Sequence, residues 1–139
     1  MTDAATASPA RRAALWCGAL MLGLLVHMSS GRAAAYLSAV EDMPLMPGLT
    51  EQKDSSFMFD APDGRIVRAG ARGQVASSDA AAFYKSSLPA LGWTPTSARS
   101  GPKAGETRLT FAREGERLEI DVLAAKAGMT EVHFSIDPD

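Results

Sequence analysis

Between residues 108 and 136 three successive runs alternate apolar and polar side chains at a period of two. Leu109 and Phe111 alternate with Arg108 and Thr110; Leu118, Ile120 and Val122 with Arg117, Glu119 and Asp121; Val132, Phe134 and Ile136 with Glu131, His133 and Ser135. A strand sends successive side chains to opposite faces, so this pattern requires a sheet with one buried and one wet face. Glu114-Gly115 and Lys126-Ala127-Gly128 supply the turns between runs, which makes the neighbours antiparallel. The rest of the chain then has one apolar face to cover.

Upstream, Phe57-Met58-Phe59 reads as a short strand, Asp60-Ala61-Pro62-Asp63-Gly64 as a turn, and Arg65–Gly73 as a longer strand. Gly70 and Gly73 suggest a bulge or a close approach of the following helix. Ser77-Ser78-Asp79 offers an N-cap for a helix over Asp79–Leu91, whose stripe is Ala80, Phe83, Tyr84, Ser87, Leu88 and Leu91. Pro89 lacks the N–H that would reach Lys85, so the last turn should kink or tighten to 3-10. Gly92 ends the helix, and Trp93 is placed to fold back on Leu88. A short strand after Trp93 and a Ser100–Lys103 loop complete the order. The expected fold is α+β, a small antiparallel sheet (β-β-α-β-β-β-β) with one helix packed on its apolar face.

The N-terminal quarter is of another kind. Residues 1–12 are polar and end in Arg11-Arg12, every residue from Ala13 to Val26 is apolar or Gly, and His27–Arg32 leads into Ala33-Ala34-Ala35. A basic start, an apolar run of about 14 residues and small residues before a cut is the order of a secretory signal. Two readings follow: a signal peptide over residues 1–35, cleaved after Ala35, or an uncleaved anchor using residues 13–30. The positive-inside rule would keep Arg11 and Arg12 of such an anchor in the cytoplasm. The domain is expected in the periplasm either way, free or as the outer part of an inner-membrane single-pass protein. The arginine pair and Leu15 only weakly match a twin-arginine signal. Trp16 stands where lipoprotein attachment at Cys17 would need a small residue.

Residues 36–56 carry Pro44 and Pro47, which oppose a helix and a central strand. They are expected as an extended segment anchored by Leu45, Met46 and Leu49, ahead of an α+β domain over residues 57–137. Met43 and Met46 could offer thioethers to copper, yet without a nearby His they read as packing residues.

Four stretches carry a resemblance. Glu41–Leu49, Gly64–Val67, Phe83-Tyr84 through Leu88–Trp93, and Phe111–Glu116 resemble a group of small exported alphaproteobacterial proteins without an assigned activity. The shared marks are an EDxPLMPGL segment and an FY...LPxLGW helix, spread over most of residues 41–122. The resemblance implies an envelope location and a helix-on-sheet fold, and it carries over no catalytic residue.

Composition narrows the function. The leader holds Arg11, Arg12 and Arg32 of the 14 basic residues and Asp3 of the 16 acidic ones, so residues 36–139 carry 11 against 15, or −4. A mildly acidic, mixed surface argues against nucleic acid as a partner and against a polybasic membrane patch. The one cysteine, Cys17, lies in the apolar run, so the domain needs no disulfide. Its single histidine, His133, and the lack of Cys leave no zinc ligand set, and no G-x-S-x-G marks a nucleophile. No enzyme activity, metal or cofactor is expected.

Two readings from different classes remain. One is a non-catalytic module that assembles with another envelope protein through a sheet edge or the Pro44–Leu49 segment. The other is a small-molecule binder using the groove between Pro89–Trp93 and the sheet, or an Arg/acid face holding Arg68, Arg72, Asp121 and His133. The residues singled out for contact are thus Leu45, Met46, Leu49, Trp93, Arg68, Arg72, Asp121 and His133. Cleavage after Ala35 predicts an exported form that begins at Tyr36 and is released by osmotic shock. Intact-mass analysis checks it, and a membrane-bound mass that retains residues 13–30 would establish the anchor instead.

Overall fold

The computed structural model describes residues 35–103 and 105–139. The expected signal peptide over residues 1–35, Ala35 apart, and the expected anchor over residues 13–30 lie outside them. Among the described residues no helix is long and apolar enough to cross a membrane.

Strands β1 (Ala35–Leu37) and β2 (Val40–Leu45) form a hairpin of their own, followed by β3 (Leu49–Glu51), a 3-10 turn at Lys53–Ser55, β4 (Phe57–Ala61) and β5 (Gly64–Gly73). Helix α1 (Ser77–Ser87) runs into a 3-10 turn at Leu88–Leu91, and β6 (Thr94–Ser100), β7 (Glu106–Arg113), β8 (Glu116–Ala124) and β9 (Thr130–Pro138) complete the chain. The main sheet has the order β3-β5-β9-β8-β7-β6, antiparallel at each pairing. β4 joins the same edge as β3, pairing the first half of β5 while β3 pairs its last three residues. The portion from β4 onward has the expected order β-β-α-β-β-β-β, and the domain is α+β.

Two turns place the three period-two runs in register, β9 pairs β5 beyond them, and each pairing brings a buried set together. Leu109 lies opposite Ile120, Ile120 opposite Phe134 and Phe134 opposite Ala69, all within a core that also holds Phe111, Leu118, Val122, Val132 and Ile136. Glu114 and Gly115 both have positive φ, 50° and 81°, as a two-residue hairpin with right-handed strand twist requires. The opposite face carries Arg68, Arg108, Glu119, Asp121, Glu131 and His133 and stays wet.

Residues 36–56 differ from the expected single extended segment, because Tyr36 pairs Pro44 and Leu37 pairs Val40 in the β1–β2 hairpin. Pro44 is tolerated because β2 pairs on only one side. Leu37, Val40 and Met43 are buried in the main core, so Met43 is a packing residue. The close approach at Gly73 also differs from expectation: a side chain there would meet the Gly48 carbonyl of the β2–β3 connection, not the helix.

Helix α1 begins two residues before the expected Asp79. The Ala76 carbonyl accepts the N–H groups of Asp79 and Ala80, both at 3.1 Å, so Ala76 is the N-cap and no side chain caps the end. The end is as Pro89 dictates, a 3-10 turn closed by Gly92 at φ 85°, with Trp93 N–H donating to the Leu88 carbonyl at 3.2 Å. The buried face is Ala80, Ala81, Tyr84 and Leu88, rotated from the expected stripe. Phe83 is only half-buried and meets Tyr84 edge-on at 5.1 Å, while Tyr84 meets Phe134 edge-on at 5.3 Å.

Tyr84 is completely buried, and its hydroxyl accepts the Met46 N–H at 3.4 Å. Burial pushes this phenol up to about 12, with the Met46 N–H pulling the other way. An unfolded tyrosine ionises near pH ~10, so between about pH 10 and about pH 12 the unfolded chain releases a proton that the folded chain keeps. Stability therefore falls as pH rises through that window, by about 1.4 kcal/mol per unit. Urea melts should show this slope in the wild type and not in Tyr84→Phe. At neutral pH, Tyr84→Ala should cost about 3–5 kcal/mol and Phe83→Ala clearly less.

Candidate functional site

The residues singled out from the sequence separate into two groups on opposite sides of the sheet. Leu45, Met46 and Leu49 pack against or within the core, and Trp93 is only 1% exposed. Arg68, Arg72, Asp121 and His133 share the wet face: Asp121 lies opposite His133, His133 opposite Gly70, and Arg68 and Arg72 flank Gly70.

The wet face spends its charges on itself. Arg108 donates to both oxygens of Asp121, at 2.6 and 2.8 Å, with Glu119 at 3.2 Å and Glu106 at 3.9 Å. The bond to Asp121, and then the surrounding carboxylates, hold the Arg108 guanidinium above its usual value against the cost of partial burial. Arg68 donates to Asp137 at 2.7 Å and to the Val67 and Ile136 carbonyls. His133 stands 3.8 Å from Glu131, and Arg72 lies opposite Glu131 in register. Pairs of this kind on a solvated sheet contribute a few tenths of a kcal/mol each, about 0.2–1 at most. The Arg108–Asp121 and Arg68–Asp137 bonds are cross-strand pairs, and Glu131–His133 is a contact within β9; none of them is a group converging on a ligand.

The groove at the helix end is occupied by a side chain that sequence reasoning passed over. Arg113 lies over the Trp93 ring with its guanidinium carbon 4.2 Å from the ring centre, donates to the Leu91 carbonyl at 3.1 Å, and is paired with Asp42 of β2. What is left there is an open depression lined by Asp42, Leu91, Gly92, Thr94, Arg113 and Glu114. Trp93 Nε1 is a buried side-chain donor without a partner among the described residues. Trp93 therefore seals the helix onto the sheet, and Arg113 fastens β2 over it. Among the described residues no group of three or more His, Cys, Asp or Glu side chains could hold a metal ion.

The two sheet edges differ more than the two faces do. On β6, Pro95 sits at a register irregularity and Arg99 stands on the strand. Proline, a bulge and a charge are the usual devices that keep an edge from pairing with another chain. On β4, Phe57, Met58 and Phe59 are 55%, 56% and 62% exposed, on a strand that pairs only β5. Phe57 lies opposite Arg68 and Phe59 opposite Ile66, toward the wet face, while Met58 lies opposite Val67 on the helix side. Both flanks of this edge are apolar and open. The clue in the sequence was the unbroken run Phe57-Met58-Phe59, which does not alternate as the buried strands do.

The fold and its surface thus define a small α+β module with one covered face, one self-paired charged face and one unprotected strand edge. Comparison of the chain with protein-family models, with curated proteins and with solved structures yields no match.

Arg113 supplies the test of the helix-end assignment. With Trp16 removed, by leader cleavage or Trp16→Phe, the emission of Trp93 should be blue-shifted and poorly quenched by acrylamide. Arg113→Ala should shift it red, raise quenching and cost about 1–3 kcal/mol in urea melts, from the lost stacking and charge-assisted bonds.

Proposed function

We propose that this chain is a non-catalytic interaction module of the bacterial cell envelope that assembles with another envelope polypeptide by strand addition at β4. The observation that carries the reading is the exposure of Phe57, Met58 and Phe59 on an edge strand without a partner on its outer side among the described residues. An added strand would gain main-chain hydrogen bonds along β4 and cover apolar side chains on both of its flanks. The composition of the leader and the resemblance to small exported proteins support an envelope location. With the leader cleaved the module is periplasmic; with it retained the module stands on the periplasmic side of the inner membrane.

A photoactivatable residue placed at Phe59 of the full-length chain should crosslink in cells to a polypeptide of the envelope fraction. The same probe at Thr96 on β6 should not. Equal adducts at both positions, or none at Phe59, would reject β4 as the docking strand.

A further inference from the structure

We infer that the polypeptide added at β4 is β4 of a second copy of this chain, antiparallel about a two-fold axis at Met58. The inference rests on the docking-strand reading and names its partner. Two copies of a strand can pair with themselves only where the residues on either side of the axis suit each other, because a two-fold interface is self-complementary. Around Met58 they do. Phe57 of each copy falls opposite Phe59 of the other, which makes two aromatic cross-strand pairs on the wet-face side. Met58 meets its own counterpart on the helix side, and Ser56 falls opposite Asp60, a neutral residue against a charged one.

The charges just beyond the strand agree with this register. Lys53, in the 3-10 turn before β4, comes to the end where Asp63 of the other copy turns into β5. The axis at Met58 thus sets Lys53 opposite Asp63 twice, with Asp54 opposite Pro62. An axis at Asp60 would set two carboxylates against each other and leave Phe57 beyond the ladder. The opposite edge cannot serve, since β6 carries Pro95 and an irregular register. The shared ladder is short, Ser56–Asp60 on each side, of which Phe57–Asp60 belong to β4, and buries less than the ~1,000 Å² that marks a stable interface. The pair is therefore a weak, exchanging dimer whose sheets run on as one.

The test uses the full-length chain in cells, in a Cys17→Ser background. Met58→Cys should be joined to itself by a short thiol-to-thiol crosslinker, whereas Thr96→Cys, also exposed but on β6, should not. Sedimentation of the detergent-extracted full chain should show a dimer that dissociates on dilution. Met58→Lys sets two ammonium groups against each other on the axis and should weaken the dimer by about tenfold or more. Met58 is exposed, so the fold should survive that change, and the Tyr84-dependent alkaline slope in urea melts checks that it has. Lys53→Asp and Asp63→Lys should each weaken the dimer and together restore it, because only the Met58 register brings these residues together. A chain that stays monomeric, or crosslinks equally at residues 58 and 96, overturns self-pairing. If it is monomeric yet Phe59 still crosslinks to a different envelope polypeptide, the docking strand stands and the second copy falls. If both experiments fail, the docking strand falls as well.

Discussion

The apolar face of the sheet is wider than its one helix can cover, and most of the structure follows from that shortfall. From β5 to β6 the sheet is five strands across, roughly 19 Å at about 4.8 Å per strand. Helix α1 has 11 residues, about 16 Å of axis and about 10 Å of girth. Strands of eight to ten residues, such as β5 and β8, extend about 30 Å. A helix crossing from one edge toward the other therefore covers only part of the face. The β1–β2 hairpin covers more, through Leu37, Val40 and Met43. Tyr84 joins the two covers: its ring packs edge-on to Phe134, and its hydroxyl holds the Met46 N–H at the end of the hairpin.

The same need explains Arg113 and Asp42. A two-stranded hairpin is marginal on its own in water, so β1–β2 depends on ties to the rest of the domain. Arg113 reaches β2 through Asp42, while Glu51 of β3 accepts the Ser38 N–H at 3.0 and 3.1 Å and ties the hairpin's turn to the other side. Arg113 uses the helix C-terminus as well, because the Leu91 carbonyl it donates to is one of the groups a helix end leaves unpaired. A single guanidinium thus closes the helix end, stacks on Trp93 and holds the second cover in place. Filling the groove in this way leaves no enclosed space there for a ligand.

The elements that were legible in the sequence are those whose local pattern and tertiary role coincide. β7, β8 and β9 alternate because one face is core and the other water, and the buried sets are the ones the alternation marks. Pro89, Gly92 and Trp93 fixed the helix end for the same reason, since proline geometry and a left-handed glycine act locally. The helix face was less legible. The expected stripe included Phe83 and left out Ala81, whereas Ala81 is buried and Phe83 half-buried: the tilt of the helix on the sheet decides between them, and helical periodicity does not carry it. Residues 36–56 were read as one extended piece because two prolines speak against a central strand but leave a one-sided pairing open. The bidentate grip of Arg108 on Asp121 depends on register, which alternation alone does not assign across a turn; once Glu114-Gly115 sets that register, the pair is implied.

The charged face and the β4 edge meet opposite demands. On the wet face the carboxylates of Asp121 and Asp137 are taken up by Arg108 and Arg68, and a ligand would have to replace bonds that already exist. An anion recruited by Arg108 would also approach three carboxylates. On β4 nothing has to be displaced except water: the apolar side chains are already exposed, and the outer main-chain groups have no strand beside them among the described residues. Water solvates those polar groups well, so their pairing adds little net free energy, about 1 kcal/mol each at most. The stronger drive is the apolar area of Phe57, Met58 and Phe59, at about 25 cal/mol per Å². An edge kept purely for solubility would set a charge in the middle of this run. Here the charges, Lys53, Asp54, Asp60 and Asp63, stand at its ends, where Lys53 and Asp63 select a register without blocking the approach.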